Sequence, residues 1–169
     1  DTHFGHENII RYCNRPFENA KEADEVMIEN WNSVVKDGDI VYHLGDVYFG
    51  EAGRNALPKL NGRKRLILGN HDNGKDQYLQ KYFQKIMVWR MFPEFGLLLS
   101  HIPLHEQSLE RWESSTDSNT GRDTTEVSYY LKNVHGHIHD RDSPSANHHN
   151  VSVEKIGYKP INIEELRVK

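Results

Sequence analysis

The stretch Leu68-Gly69-Asn70-His71-Asp72 decides the fold of this chain. It completes the short apolar run 66–68, so the sequence predicts that a buried strand ends here and the chain turns. Gly69 permits backbone angles or a close approach that a side chain would block. An amide, an imidazole and a carboxylate then follow at the strand tip, where open α/β proteins usually bind ligands. Taken alone, the stretch is equally compatible with an ordinary turn, because turns favour Gly, Asn and Asp.

Metal-capable side chains recur at other predicted strand ends. The strand predicted at 40–44 ends in Gly45-Asp46, and the second strand of a hairpin predicted over 86–92 and 95–99 runs into Ser100-His101. Alternating imidazoles occupy 134–139, and Asp1 and His3 point to one face if their segment is extended. Apolar periodicity predicts helices at 19–35 and 75–85, with a further helix at 51–60.

Composition limits the classes of function. The 169 residues correspond to one domain with a real core, and the net charge of -4 argues against non-specific duplex binding, although a local basic cleft stays open. No apolar run approaches the ~20 residues that span a bilayer, so we expect no membrane partner. The single Cys13 cannot form an internal disulfide, which fits a cytoplasmic location. Eleven histidines indicate metal binding.

The candidate ligands have the chemistry of a two-ion site. They are Asp1, His3, Asp46, Asn70, His101, His137 and His139. Carboxylate, imidazole and amide groups suit Mn, Fe, Zn or Ni, and no thiolate is offered. Seven ligands exceed the need of one tetrahedral ion but suit two ions that share a carboxylate, for which Asp46 is the natural bridge. Two ions roughly 3.5–4 Å apart clamp a phosphoryl group and convert bound water into hydroxide.

Five blocks in order carry a family resemblance: Asp1-x-His3, Gly45-Asp46, 69–72, a lone His101 and Gly136-His137-x-His139. This order resembles the calcineurin-like metallophosphoesterase family, and the size of the chain is similar to small phage or bacterial members. The resemblance implies an α/β (α+β) fold, a four-layer sandwich of two mixed β-sheets packed face to face and flanked by α-helices. It also implies that the metals lie at one edge of the sandwich.

The same resemblance implies separate roles for the site residues. One ion would be held by Asp1, His3 and His139, the other by Asn70, His101 and His137, and Asp46 would bridge them. His71 would stabilise phosphoryl charge or protonate the leaving oxygen, with Asp72 orienting its ring. One departure is Phe49, which stands three residues after Asp46, where many members carry a second acid that supports a ligand histidine.

These patterns lead to a functional expectation with two alternatives. We expect a phosphodiesterase that loads two divalent transition-metal ions, Mn first and Fe, Zn or Ni otherwise, and that attacks its substrate with metal-bound hydroxide. The substrate would be a nucleotide, a cyclic nucleotide or a nucleic-acid end, because no capping domain closes the cleft. The alternatives are a phosphomonoesterase acting on a small metabolite or phosphoprotein, and a catalytically silent interaction module.

Several further expectations concern single segments. We expect one domain over 1–169, with a short apolar strand upstream of Asp1 and therefore fraying at that first ligand. The polar stretch 113–126 should be a long loop. Arg15 and Arg141 are expected at the surface, with pairing to a phosphate as the alternative. The remaining histidines form two groups: His6, His43 and His135 should not ligate, whereas His148 or His149 is an alternative substrate contact.

Overall fold

The computed structural model describes residues 1–116 and 123–168. Its α-helices are α1 (Glu7–Tyr12), α2 (Ala20–Val34), α3 (Gly50–Arg54) and α4 (Gln77–Tyr82). Its strands are β1 (Ile40–His43), β2 (Arg63–Ile67), β3 (Phe83–Met87), β4 (Trp89–Phe92), β5 (Leu97–Ser100), β6 (Glu110–Thr116), β7 (Asp123–Tyr130), β8 (Lys132–His135) and β9 (His148–Asn150). Short 3₁₀ turns lie at Leu57–Lys59, Pro93–Phe95, Glu106–Ser108 and Ile163–Leu166.

The strands form two sheets and a hairpin, which confirms the mixed α/β class. The first sheet has the order β1-β2-β3 and is parallel throughout, rather than mixed as expected. The second has the order β4-β5-β8-β9, with β4 antiparallel and the other neighbours parallel. Strands β6 and β7 pair antiparallel with each other. Because β1 and β2 are parallel, as are β5 and β8, the polar residues that follow each pair leave the same end of their sheet.

Three hydrophobic clusters hold these elements together. Helices α1, α2 and α4 bury Ile9, Met27 and Leu79 in a cluster that also contains Leu66 of β2. A second cluster joins the two sheets and consists of Leu44, Ile67, Leu97, Leu99 and Val134. A helix layer was expected on the outer face of the second sheet, but Leu98 of β5 packs there against residues that flank the hairpin. These residues are Leu109, directly before β6, and Leu131, directly after β7.

Helix α2 contains the local signals from which its sequence predicts a helix. Asn19 caps it by accepting a hydrogen bond from the backbone N–H of Glu22 at 3.0 Å. Its buried face is Ala23, Met27 and Trp31, at helical spacing. The predicted helix over 19–35 is confirmed. With 15 residues it is the longest helix described, and none of the described helices is long and apolar enough to cross a bilayer.

Two helix predictions were wrong at their ends. The predicted helix 75–85 stops at Tyr82, because Phe83–Met87 pairs in parallel with β2 as strand β3. Pairing with a neighbour therefore overrode local helical spacing. The predicted strand 86–92 accordingly divides between β3 and β4, which belong to different sheets. The predicted helix 51–60 ends at Arg54, and Leu57–Lys59 forms a separate 3₁₀ turn that contains Pro58.

The expected loop at 113–126 is largely strand. Residues 113–116 belong to β6 and 123–126 to β7, while 117–122 lie outside the described residues. The pairing runs from Glu110↔Tyr130 to Thr116↔Asp123. The hairpin is anchored where Leu131 donates a backbone hydrogen bond to Leu109 at 3.0 Å. Because its apolar anchors lie outside the polar stretch, the composition of 113–126 gave no sign of a strand.

The first residues of the chain are held against the loop that follows β1. His3 donates a backbone hydrogen bond to Asp46 O at 3.0 Å, and Phe4 donates one to Val47 O at 3.0 Å. Asp1 is 6% exposed, so the expected fraying at the first ligand is wrong. This pairing brings the Asp1-x-His3 block to the carboxyl end of the first sheet.

Candidate metal centre

Asp46 lies at the centre of the candidate site. Its Oδ2 atom is 3.5 Å from His3 Nε2 and 3.5 Å from His101 Nε2. Its Oδ1 atom accepts a hydrogen bond from the backbone N–H of His71 at 2.9 Å. The residue is 2% exposed. One oxygen thus faces two imidazoles from distant parts of the chain, which is the position the sequence predicts for a bridging carboxylate.

The first ligand group contains Asp1, His3 and His139, whose donor atoms lie within 4.8 Å of one another. Asp1 Oδ2 accepts a hydrogen bond from the His137 backbone N–H at 2.7 Å. Its Oδ1 atom and His3 Nε2 are both buried without a hydrogen-bond partner. Buried polar atoms are nearly always paired, so two orphans in one group need an explanation. A cation bound between them would satisfy both.

The second ligand group contains Asp46, His101 and His137, again within 4.8 Å. His101 Nδ1 lies 2.7 Å from the carbonyl of Leu44, which only accepts, so Nδ1 carries the proton and Nε2 a lone pair. That Nε2 lies 2.8 Å from Asn70 Oδ1 and 3.1 Å from His137 Nδ1. Lone-pair atoms from three strand ends therefore converge, and this arrangement also fits a cation.

The protonation states suit metal binding. Burial lowers the pKa of His3 to about 4, and burial likewise lowers the pKa values of His101 and His137. These imidazoles are therefore neutral near pH 7, which is the form that ligates metal. Burial alone would raise the pKa of Asp46, but the neighbouring His3 imidazole and the hydrogen bond from the His71 backbone outweigh it and lower the pKa. The Asp46 carboxylate is therefore ionised near pH 7.

Backbone strain is concentrated at the same residues. His3, Asp46, His137 and His139 have positive φ angles of 52°, 51°, 68° and 52°. They are four of the six non-glycine residues with positive φ among those described. Such conformations cost of order 1–3 kcal/mol each and tend to persist at functional sites. The strained backbone therefore coincides with four of the candidate ligands.

Two glycines make room for the carboxylates. A Cβ on Gly69 would collide with Asp46 Oδ1, and one on Gly136 would collide with Asp1 Oδ2. Neither glycine has a positive φ, so close approach is the reason for both. Of the two explanations that the sequence offered for Gly69, the structure supports close approach.

The prediction that Asp72 orients the His71 ring is corrected by the structure. Asp72 Oδ2 accepts backbone hydrogen bonds from Asp46 at 2.8 Å and Gly69 at 2.9 Å, and Oδ1 accepts one from Val47 at 3.0 Å. Asp72 therefore ties the loop after β2 to the loop after β1 and fixes the backbone of the bridging residue. His71 is exposed, and its ring centroid lies 5.9 Å from that of His3.

Three residues beside the site were missed or misplaced by the sequence. His6 Nδ1 lies 3.2 Å from His3 Nδ1, and its ring stacks on Phe49 at 4.2 Å between centroids. Arg15, expected at the surface, is buried and bonds to Glu154. Glu154 Oε1 lies 3.1 Å from His139 Nδ1. No local signal could have joined Arg15 to a residue so distant in the chain.

Three other histidines have structural partners. His43 contacts Thr2 Oγ1 at 3.0 Å, and its Nδ1 accepts from Gly45 N at 3.2 Å. His135 contacts the carbonyl of Gly136 at 2.9 Å. These contacts agree with the expectation that neither ligates. His148 is buried with Nε2 2.7 Å from the carbonyl of Leu104, so it does not serve as the alternative substrate contact. Arg141 is exposed, as expected.

Together these features define an α/β protein with a carboxylate–histidine centre at the carboxyl ends of its strands. The chain belongs to the same family as the uncharacterized protein MJ1445 of Methanocaldococcus jannaschii, with 35% identity over 97% of this chain and 84% of that protein. It is also similar to the Gene 66 protein of Mycobacterium phage D29, with 28% identity over 83% of this chain and 76% of the phage protein.

A solved structure supports the fold over the whole chain. The crystal structure of the protein of unknown function AQ665 from Aquifex aeolicus matches with a TM-score of 0.70 and 27% identity, covering 98% of this chain and 94% of that one. No protein-family model matches the chain. None of these three relatives has a name that states an activity.

Replacing Gly136 with Ala should disrupt the first ligand group. The added Cβ would collide with the Asp1 carboxylate, so we expect Gly136→Ala to lower the melting temperature and to weaken Mn²⁺ binding by about tenfold or more. Gly38→Ala is the matched control, because a Cβ there meets nothing within 4 Å. Thermal unfolding and Mn²⁺ titration of both variants test this. Equal behaviour of the two variants would contradict it.

The Glu154 ion pair should give a defined pH dependence. Burial alone would raise the pKa of Glu154, but the His139 hydrogen bond and the Arg15 charge lower it to about 2 from 4.5. A carboxyl with a lowered pKa stabilises the fold above its unfolded pKa and loses that contribution as pH falls. We expect wild type to have a higher free energy of unfolding than Glu154→Gln near pH 6, and the difference to shrink as the pH falls towards 2. Chemical denaturation across this range measures the difference, and a constant gap would refute the assignment.

Proposed function

We propose that this protein is a two-ion metallophosphoesterase that favours phosphodiesters, and that its family is part of the calcineurin-like metallophosphoesterases. The observation that carries the proposal is the position of Asp46 Oδ2, 3.5 Å from His3 Nε2 and 3.5 Å from His101 Nε2. Each imidazole belongs to its own group of converging donors. A single carboxylate shared by two donor groups is the arrangement that a pair of metal ions requires.

The donor set suits two divalent transition-metal ions, Mn first and Fe, Zn or Ni otherwise. Asp1, His3 and His139 would hold one, Asn70, His101 and His137 the other, and Asp46 would contact both. Bound there, the ions supply Lewis-acid activation of water and neutralise phosphoryl charge. The charge balance supports this assignment. Two carboxylates among neutral imidazoles would repel a phosphate, and two divalent cations reverse the sign of the site.

The protein itself positions the reacting groups. The Asp72 carboxylate accepts a hydrogen bond from the backbone N–H of Asp46 and so fixes the backbone of the proposed shared ligand. The His71 backbone N–H donates to Asp46 Oδ1, which places the His71 side chain at the rim beside the shared ligand. His71 is exposed and can reach a bound ester from solvent, so its imidazole is the group that donates a proton to the leaving oxygen.

The openness of this rim favours diesters. Asn70 and His71 are both exposed, so a phosphorus atom near them can carry a bulky substituent on each side. A nucleotide, a cyclic nucleotide or a nucleic-acid end has that form. A phosphomonoesterase would use the same residues, and substrate comparison separates the two. The complete ligand set speaks for an enzyme rather than a silent interaction module.

Metal removal and substrate choice test the activity. We expect chelator-treated protein to lose phosphoesterase activity and to regain it with Mn²⁺, because both donor groups depend on a cation. With Mn²⁺ present, bis-p-nitrophenyl phosphate should be hydrolysed with a higher kcat/KM than p-nitrophenyl phosphate. Full activity without metal would refute the mechanism, and a preference for the monoester would make the protein a phosphatase.

Replacing His71 with Ala tests the proton donor. We expect His71→Ala to lower kcat by about 10²–10⁴-fold on an ester with a poor alkyl leaving group, and by less on a p-nitrophenyl ester that needs no proton. Metal content should stay unchanged, because His71 is not a ligand. His105→Ala is the matched control, since His105 is exposed and caps a 3₁₀ turn instead. Full turnover of His71→Ala on the alkyl ester would exclude the role.

A further inference from the structure

The guanidinium of Arg15 is buried behind the first ligand group. Its side chain is 0% exposed. Nη1 donates to the carbonyl of Thr2 at 2.8 Å, and Nη2 donates to the carbonyl of Asp1 at 3.0 Å. Nε donates to Glu154 Oε1 at 2.9 Å. The Arg15 guanidinium therefore fixes the peptide groups that follow Asp1 and Thr2, and it also binds Glu154 near the other end of the chain.

Glu154 extends this connection to the third ligand. Its side chain is 5% exposed, and Oε1 lies 3.1 Å from His139 Nδ1 as well as 2.9 Å from Arg15. A carboxylate only accepts, so His139 Nδ1 donates to Glu154, which orients the ring and leaves Nε2 as the nitrogen available for a metal ion. All three residues of the first ligand group are thus attached to one buried ion pair.

The second ligand group is held by different contacts. His101 is fixed by the Leu44 carbonyl at 2.7 Å, and Asn70 lies against His101 at 2.8 Å. Neither contact involves Arg15 or Glu154. The two groups share Asp46, and the His137 backbone N–H also donates to Asp1 at 2.7 Å. Among the described residues, however, the hydrogen bonds from Arg15 and Glu154 to candidate ligands reach only the first group, so removing the ion pair should affect the first ion more than the second.

Two simpler explanations of the ion pair are less satisfactory. A buried ion pair is weak grounds for stability, because desolvation of both charges offsets their attraction. A third metal held by Cys13, His139 and Glu154, whose donor atoms lie within 4.8 Å, conflicts with the local charge. Glu154 Oε1 already accepts hydrogen bonds from Arg15 and His139, and burial, which raises the pKa of the Cys13 thiol to about 11, disfavours the thiolate that a metal ion would need.

We propose that Arg15 and Glu154 are positioning residues that preorganise Asp1, His3 and His139 for one metal ion without contacting the ligands of the other. This inference rests on the proposed two-ion function. It predicts that loss of the buried ion pair weakens the first ion selectively, since the support of a ligand histidine typically changes metal affinity by about 10–100-fold.

Stepwise metal titration tests the proposal. Metal-free protein is titrated with Mn²⁺ by calorimetry, and wild type should bind two ions. Glu154→Ala and Arg15→Lys should each weaken one ion by about 10–100-fold and leave the other within about twofold. Glu154→Gln keeps an oxygen acceptor and should lose less. Asp142→Asn is the control, because it breaks only the exposed pair with Lys155 at 3.1 Å.

A double variant identifies which ion is affected. Glu154→Ala should weaken binding less in the His139→Ala background than in the His137→Ala background, because His139 is the candidate ligand that Glu154 contacts directly among the described residues. Circular dichroism checks that each variant is folded, and Arg15→Lys and Glu154→Gln carry the test if Glu154→Ala unfolds.

The outcomes separate this inference from the proposed function. If wild type binds two ions and hydrolyses diesters but the variants titrate like wild type, only the positioning role is overturned. The positioning role is also overturned if both ions weaken equally in Glu154→Ala and Arg15→Lys. If wild type takes up no Mn²⁺, the two-ion function and the positioning role are both overturned.

Discussion

The structure depends on how two acidic side chains, Asp1 and Asp46, can stay buried at one sheet end. Buried charge is expensive unless it is paired, and the imidazoles around these two acids are held neutral by their own burial. Asp1 Oδ1 and His3 Nε2 even lack hydrogen-bond partners. Two bound cations, as proposed, would resolve this imbalance and would explain why so many otherwise unfavourable features occur together.

The fold supplies the means to gather these groups. Because β1 pairs in parallel with β2, both strands end at the same edge of the first sheet, and the same holds for β5 and β8 in the second sheet. The hydrophobic cluster that contains Leu44 and Leu97 holds the two sheets together. The hydrogen bond between His101 and the Leu44 carbonyl then joins the ends directly. Left-handed backbone at the inward-turning ligands and glycines at the contact points complete the convergence.

Much of the site was predictable because its signals are local. An apolar strand followed by Gly-Asp, Gly-Asn or Ser-His places each side chain at a strand end, and parallel pairing does the rest. Asp72 was misjudged because its role depends on backbone N–H groups of another loop. Arg15 and Glu154 were missed because their contact is made only in the folded chain. Strand β3 and the β6–β7 hairpin depend on pairing partners, which local periodicity does not encode.

The central claim is that Asp46 is shared by two metal ions. Anomalous diffraction from a crystal grown with Mn²⁺ tests it most directly. We expect two anomalous peaks, one on each side of the Asp46 carboxylate, the first against His3 and the second against His101. A single peak, or peaks that do not contact Asp46, would contradict the claim.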